Sequence, residues 1–181
     1  MTEPTSSLNN QTPTQTPTPV TSAALLSGRF SGRTEFVDLV RQAFRVGAAE
    51  GWSNITVSDP DFADWPLGER EVAQSLNDWA RSGRTFVMLA GRYDELLRRH
   101  ARFVTWRRTW AHLIDCRAAP ARAADIPSAL WSPAWVFERL DVERCTGIAG
   151  AEAVRRVDLR ERLAEPLRRS TPSFAAHTLG L

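Results

Sequence analysis

The chain has 181 residues, is 43% hydrophobic, 24% charged and 9% aromatic, and carries a net charge of +2. That is enough apolar material for one globular domain with a sizeable core, which excludes a wholly disordered chain. No apolar run approaches the roughly 18–20 residues of a membrane-spanning helix, and no basic stretch leads into an apolar one as in a secretory signal.

Cys116 and Cys145 are too few for a disulfide scaffold or a four-cysteine zinc site, and the expected compartment is the cytoplasm. All 23 basic residues are arginine. The absence of lysine excludes a Schiff-base lysine, a P-loop lysine and any lysine-containing catalytic dyad. The bias itself reads as a GC-rich, bacterial-type coding preference.

Residues 1–28 form a Thr/Pro/Gln-rich tail with no apolar periodicity, so they are expected to stay disordered outside a single α/β domain over 29–181. Phe36, Val37, Val40, Ala43, Phe44 and Gly47 recur at helical spacing and predict a helix from Thr34 to Ala49, capped by Thr34 and ended by Gly51. The β-branched run at 54–58 predicts a strand stopped by Asp59-Pro60-Asp61.

A second helix is expected from Pro66, with Val72, Ala73, Leu76, Trp79 and Ala80 as its buried stripe. Thr85 to Ala90 is continuously apolar, as in a strand covered on both faces. A third helical stretch follows over 93–112, then a strand at 113–117 and an Ala- and Pro-rich loop to Ser132. Residues 134–140 and 144–148 predict a β-hairpin. Ala153 to Val157 predicts a further short strand, and Asp158 caps a last helix carrying Leu159, Leu163 and Leu167. Strands alternating with helices predict a largely parallel central sheet flanked by helices, with a C-terminal β-hairpin and helix.

From Phe36 to Arg117, and again at Trp135 to Asp141, this order resembles one half of a phospholipase D-like domain, over roughly residues 34–170. In that family a hairpin strand carries a His-x-Lys motif. The matching strand here has neither residue, since the three histidines are His100, His112 and His177. The resemblance therefore implies a half-domain without the phosphodiesterase site, acting as a binding or interaction module. No catalytic residue, cofactor or metal is implied. A paired half-domain also implies a homodimer, for which Trp131, Trp135 and Phe137 are the candidate interface; another protein partner fits the same role.

Two other readings stay beside it. Asp59, Asp61 and Asp94 follow predicted strands and could gather a cation for a metal-dependent enzyme, or simply cap turns. Arg98, Arg99, Arg102, Arg107 and Arg108 crowd one helical stretch among Phe103, Trp106 and Trp110. They could bind nucleic acid or another anionic phosphate. The aromatic spacing favours the alternative, a solvated face over a packed one, so nucleic acid is not the preferred partner. Cys116 four residues from His112 invites a thiol nucleophile, against which stands a buried, inert thiol.

Overall fold

Eight strands form one sheet in the computed structural model, which describes residues 21, 24–81, 83–120 and 126–175. In chain order the elements are β1 (Gly28–Phe30), α1 (Arg33–Glu50), β2 (Asn54–Asp59), α2 (Arg70–Trp79), β3 (Thr85–Ala90), α3 (Asp94–Arg99) and α4 (Ala101–Thr109). A 3-10 turn (Ala111–Leu113) leads to β4 (Ile114–Ala118), β5 (Ser128–Trp131), β6 (Val136–Asp141), β7 (Thr146–Gly150), α5 (Ala153–Arg169) and β8 (Thr171–Pro172). Most of the expected tail, and His177, lie outside the described residues. From Ala24 on the chain is described: Leu25 is buried, and the Leu26 carbonyl accepts a hydrogen bond from the Trp135 indole at 2.9 Å.

The strand order is β1-β7-β6-β5-β2-β3-β4-β8. Only β2–β3 and β3–β4 are parallel; every other pair is antiparallel. The expectation of a largely parallel sheet is therefore corrected to a mixed, mostly antiparallel one. The cause is β5, read from the sequence as loop. It enters antiparallel beside β2, Thr56 opposite Trp131 and Ser58 opposite Ala129. Its four residues sit between Pro127 and Pro133 and include the small Ser128 and Ala129, so no alternation marked it.

Strand alternation divides the buried residues between two faces. On the first face Ile55, Val57, Phe86, Met88, Leu130 and Phe137 meet Phe36, Val40, Phe44, Val72, Leu76, Trp79, Phe103 and Trp106 from the helices. The αL turn at Gly51 (φ 68°) ends α1 as expected, with a backbone conformation that costs glycine least. Gly147 is fixed by a different constraint: a Cβ there would overlap the Glu138 carbonyl oxygen and the Phe30 ring.

The second face is covered by one helix. α5 leaves β7 near one edge of the sheet and hands the chain to β8 at the other. Seventeen residues at 1.5 Å each span about 25 Å, close to the roughly 29 Å of six strand spacings. Leu159 and Leu163 pack on Ala129 and Val136, and Leu167 reaches Leu89, Ala119 and Ile126. The strand expected at 153–157 is the first turn and a half of this helix, whose amino-terminal flank is Glu152 rather than Asp158. The expected third helix is two, broken at His100, whose φ and ψ (−119°, 52°) leave the helical region. The second helix starts at Arg70, four residues beyond Pro66.

Trp135 and Phe137, expected at an interface, are buried inside the domain at 1% and 0% exposure. Phe137 lies 5.5–6.1 Å from the rings of Trp65, Phe36, Trp135 and Phe30. Trp131, the third, is half-buried on the opposite face. Trp135→Ala is accordingly expected to cost about 3–5 kcal/mol of folding stability and to leave the oligomeric state unchanged; denaturant melts with light scattering measure both.

Candidate functional site

At the carboxyl end of β2, where open α/β sheets commonly bind ligands, the chain builds a closed ionic network. Asp59 is 2% exposed. Its Oδ1 accepts from the backbone N–H groups of Asp61 (3.1 Å) and Phe62 (2.7 Å). Its Oδ2 accepts from the Trp65 indole (2.9 Å), Ser128 Oγ (2.5 Å) and Arg139 Nη2 (2.6 Å). Five donors saturate one carboxylate.

The Arg139 guanidinium is equally enclosed. Its Nε donates to Ser128 Oγ at 2.7 Å, its Nη1 lies 3.5 Å from Asp64 Oδ2, and its Cζ sits 4.2 Å from the Phe36 ring centroid. Ser128 Oγ thus accepts a hydrogen bond from Arg139 and donates one to Asp59. The loop after Asp59 is held in an unusual shape, with Phe62 at φ 58°. The Asp59 carboxylate pins that loop from one side, and His100 Nε2, 2.9 Å from the Phe62 carbonyl, donates to it from the other.

The three acids singled out from the sequence do not gather. Asp59 is consumed by this network, Asp61 caps the Ala63 N–H and pairs with Arg92, and Asp94 is exposed in the first turn of α3. Among the described residues no group of three or more His, Cys, Asp or Glu is placed to hold a metal. The turn-capping reading of Asp59 and Asp61 describes their contacts. Arg139 was missed, although its signal was present: it alternates with Phe137 on β6, so an inward Phe137 implied an inward charge needing a partner.

The arginine cluster divides. Arg98, Arg99, Arg102 and Arg108 are exposed; Arg98 and Arg99 share Glu95, and Arg102 donates to the Gly68 carbonyl. Arg107 is buried, with Nε 3.3 Å from Cys116 Sγ, and cannot be a surface contact. Burial pushes the Cys116 thiol up to about 11, despite Arg107. It stands on β4, and His112 lies in the preceding 3-10 turn. A protonated, enclosed thiol is a poor nucleophile.

A cleft of about 280 Å3 opens on the second face, beside α5, lined by Asn54, Thr56, Val87, Trp131, Arg160, Leu163, Ala164 and Leu167. No residue in that lining was singled out from the sequence as a ligand contact except Trp131, and that as an interface residue. The Trp131 indole donates to the Arg156 carbonyl at 2.8 Å, and the Arg160 Cζ lies 5.4 Å from the Trp131 ring centroid.

Fold and site together define a mixed α/β domain with a plugged strand end, a basic helix pair and an open cleft. No protein-family model matches the chain, and no curated protein sequence does. Among solved structures it is similar in fold to the archaeal chromatin protein TrmBL2, a DNA-binding protein, at a TM-score of 0.59 and 14% identity. The likeness covers 89% of this chain and 56% of that one, so the chain spans little more than half the length of that protein.

Two outcomes follow from the network. Arg139→Leu leaves the Asp59 charge buried without its counter-ion and is expected to cost about 3–5 kcal/mol. The Asp59→Asn, Arg139→Leu double variant should lose measurably less than the sum of the single losses, by chemical denaturation. His100 supplies a pH dependence. Burial, with the nearby Arg99 charge, holds its imidazole below the ordinary value, against the Phe62 hydrogen bond and Glu95. As pH falls through about 6.5, the unfolded chain takes up a proton that the folded chain refuses. Stability should therefore fall from pH 7.5 to 5.5 more steeply in the wild type than in His100→Gln, measured by melts across that range.

Proposed function

We propose that this chain is a non-catalytic binding domain of phospholipase D-like pattern whose partner is the phosphate backbone of duplex DNA. The observation that carries the reading is the charge on α3 and α4. Together they hold five arginines against Asp94 and Glu95, a net charge of +3 in a chain whose total is +2. α5 carries the same net charge, six arginines against Asp158, Glu161 and Glu165, but Arg155, Arg162, Arg168 and Arg169 there pair with carboxylates and Arg156 with backbone carbonyls. On α3 and α4, Arg98, Arg99, Arg102 and Arg108 present the charge to solvent.

Phosphate is the partner such a surface fits. Guanidinium groups bind phosphate oxygens as a fork, and a row of them neutralises a backbone without reading bases. The fold likeness to a DNA-binding chromatin protein supports the same direction. The non-catalytic half of the reading is supported by the strand end: Asp59, Ser128 and Arg139 already satisfy one another there. No open carboxylate or hydroxyl in that network is left for a substrate.

Fluorescence anisotropy with a labelled 20-base-pair duplex tests it. Binding is expected to weaken as salt rises, with a log–log slope of roughly −2 to −4 for a few phosphate contacts. The Arg102→Ala, Arg108→Ala double variant should make that slope shallower by about 2. Salt-independent binding, or a slope the variant leaves unchanged, would overturn the assignment.

A further inference from the structure

We propose that the cleft between α5 and the second face of the sheet is a binding site for a small aromatic monocarboxylate, independent of the DNA-binding surface. At about 280 Å3 the cleft sits just under the usual range of small-molecule pockets, roughly 300–1,000 Å3. It suits a body of one ring or two fused rings.

Its walls define the chemistry. Val87, Leu163 and Leu167 supply an apolar seat. The indole of Trp131 is fixed by its hydrogen bond to the Arg156 carbonyl, so it offers a rigid ring rather than a mobile one. Asn54 and Thr56 form a polar floor, with Thr56 Oγ1 3.3 Å from Asn54 Oδ1. Ser58, next on the same face of β2, keeps a fully buried hydroxyl without a hydrogen-bond partner.

The charge of the ligand follows from Arg160. Arg155, Arg162, Arg168 and Arg169 of α5 pair with carboxylates, and Arg156 donates to the Ala151 and Pro133 carbonyls. Arg160 is the helix's remaining arginine, and among the described residues its contact is the Trp131 ring face, not an oxygen. No acidic residue lines the cleft. The site therefore carries one positive charge, no negative one, and a guanidinium already oriented by a ring. A planar carboxylate satisfies it through two parallel N–H···O bonds, while the attached ring lies on the apolar wall.

The contacts also exclude other ligand classes. A cation meets Arg160 and no carboxylate. A neutral ring gains the apolar wall but nothing from the Arg160 charge, which stays with water. A polyanion meets a single positive charge inside a cleft of about nine water volumes.

The test uses salicylate as the probe and salicylamide as its neutral match, titrated into the full chain by two-dimensional NMR. The Trp131 indole N–H signal is assigned by its loss in Trp131→Phe. Salicylate is expected to shift that signal saturably, with salicylamide at least tenfold weaker. Arg160→Ala, an exposed position, should weaken salicylate at least tenfold while the melting temperature holds. The Arg102→Ala, Arg108→Ala variant should bind salicylate as the wild type does, which separates this site from the DNA surface. Equal binding of acid and amide, no saturation by 20 mM, or indifference to Arg160→Ala would each overturn the proposal.

Discussion

The buried pair of Asp59 and Arg139 joins parts of the fold that the chain lays down far apart. Asp59 ends the first parallel strand; Arg139 comes 80 residues later, from the antiparallel half. Between them stand Ser128 of β5 and the loop residues Phe62 and Trp65. An ion pair in a low-dielectric interior is stable only when its remaining hydrogen-bonding capacity is met. Here that condition specifies the assembly. The register of β5 against β6, which sets Ser128 opposite Arg139, places the hydroxyl between the two charges. A one-residue slip would turn Arg139 to the other face and leave Asp59 without its counter-ion.

That constraint also explains why the strand end is structural. In an open parallel sheet the carboxyl ends of the strands are free to meet a ligand because the polypeptide leaves them through loops. In this chain β5 runs antiparallel beside β2 and begins at that end. Ser128, its first residue, and Arg139 of β6 fill the place a ligand would take. The polar chemistry of the sheet is then left to its opposite face. There α5 lies on a single leucine stripe, and Asn54 and Thr56 of β2 line the cleft with Arg160 of the helix.

The elements legible in the sequence were those whose periodicity matched one environment throughout. α1 and β3 carry a clean stripe and a clean apolar run, and their bounds in the sequence and the structure differ by no more than a residue. β5 and the start of α5 were not legible, for opposite reasons. β5 is too short and too rich in small residues for alternation to register. Ala153, Val154 and Val157 are apolar yet exposed, Val154 at 82%, so they mimic a strand while belonging to a helix whose buried stripe begins at Leu159. The division of α3 from α4 was hidden because His100 breaks the helix through a tertiary contact, its bond to the Phe62 carbonyl. Asp59 was visible as a turn cap. Its five-donor environment was not, because three of the donors come from side chains between six and eighty residues away.

The all-arginine composition bears on each of these sites. A lysine ammonium is a compact charge that could meet Asp59 but could not also reach Ser128 and Asp64 from one rigid plane. Arg139 does so, and its flat face rests on Phe36. The same seating recurs where Arg84 lies over Trp79 at 5.9 Å and Arg160 over Trp131 at 5.4 Å. Whatever mutational bias removed lysine from the chain, the fold uses a property only guanidinium has: stacking on a ring while its edge remains free to donate. At Arg139 that edge is filled by protein oxygens, which makes a core. At Arg160, among the described residues, the contact is the Trp131 ring alone, which leaves that edge to the proposed carboxylate.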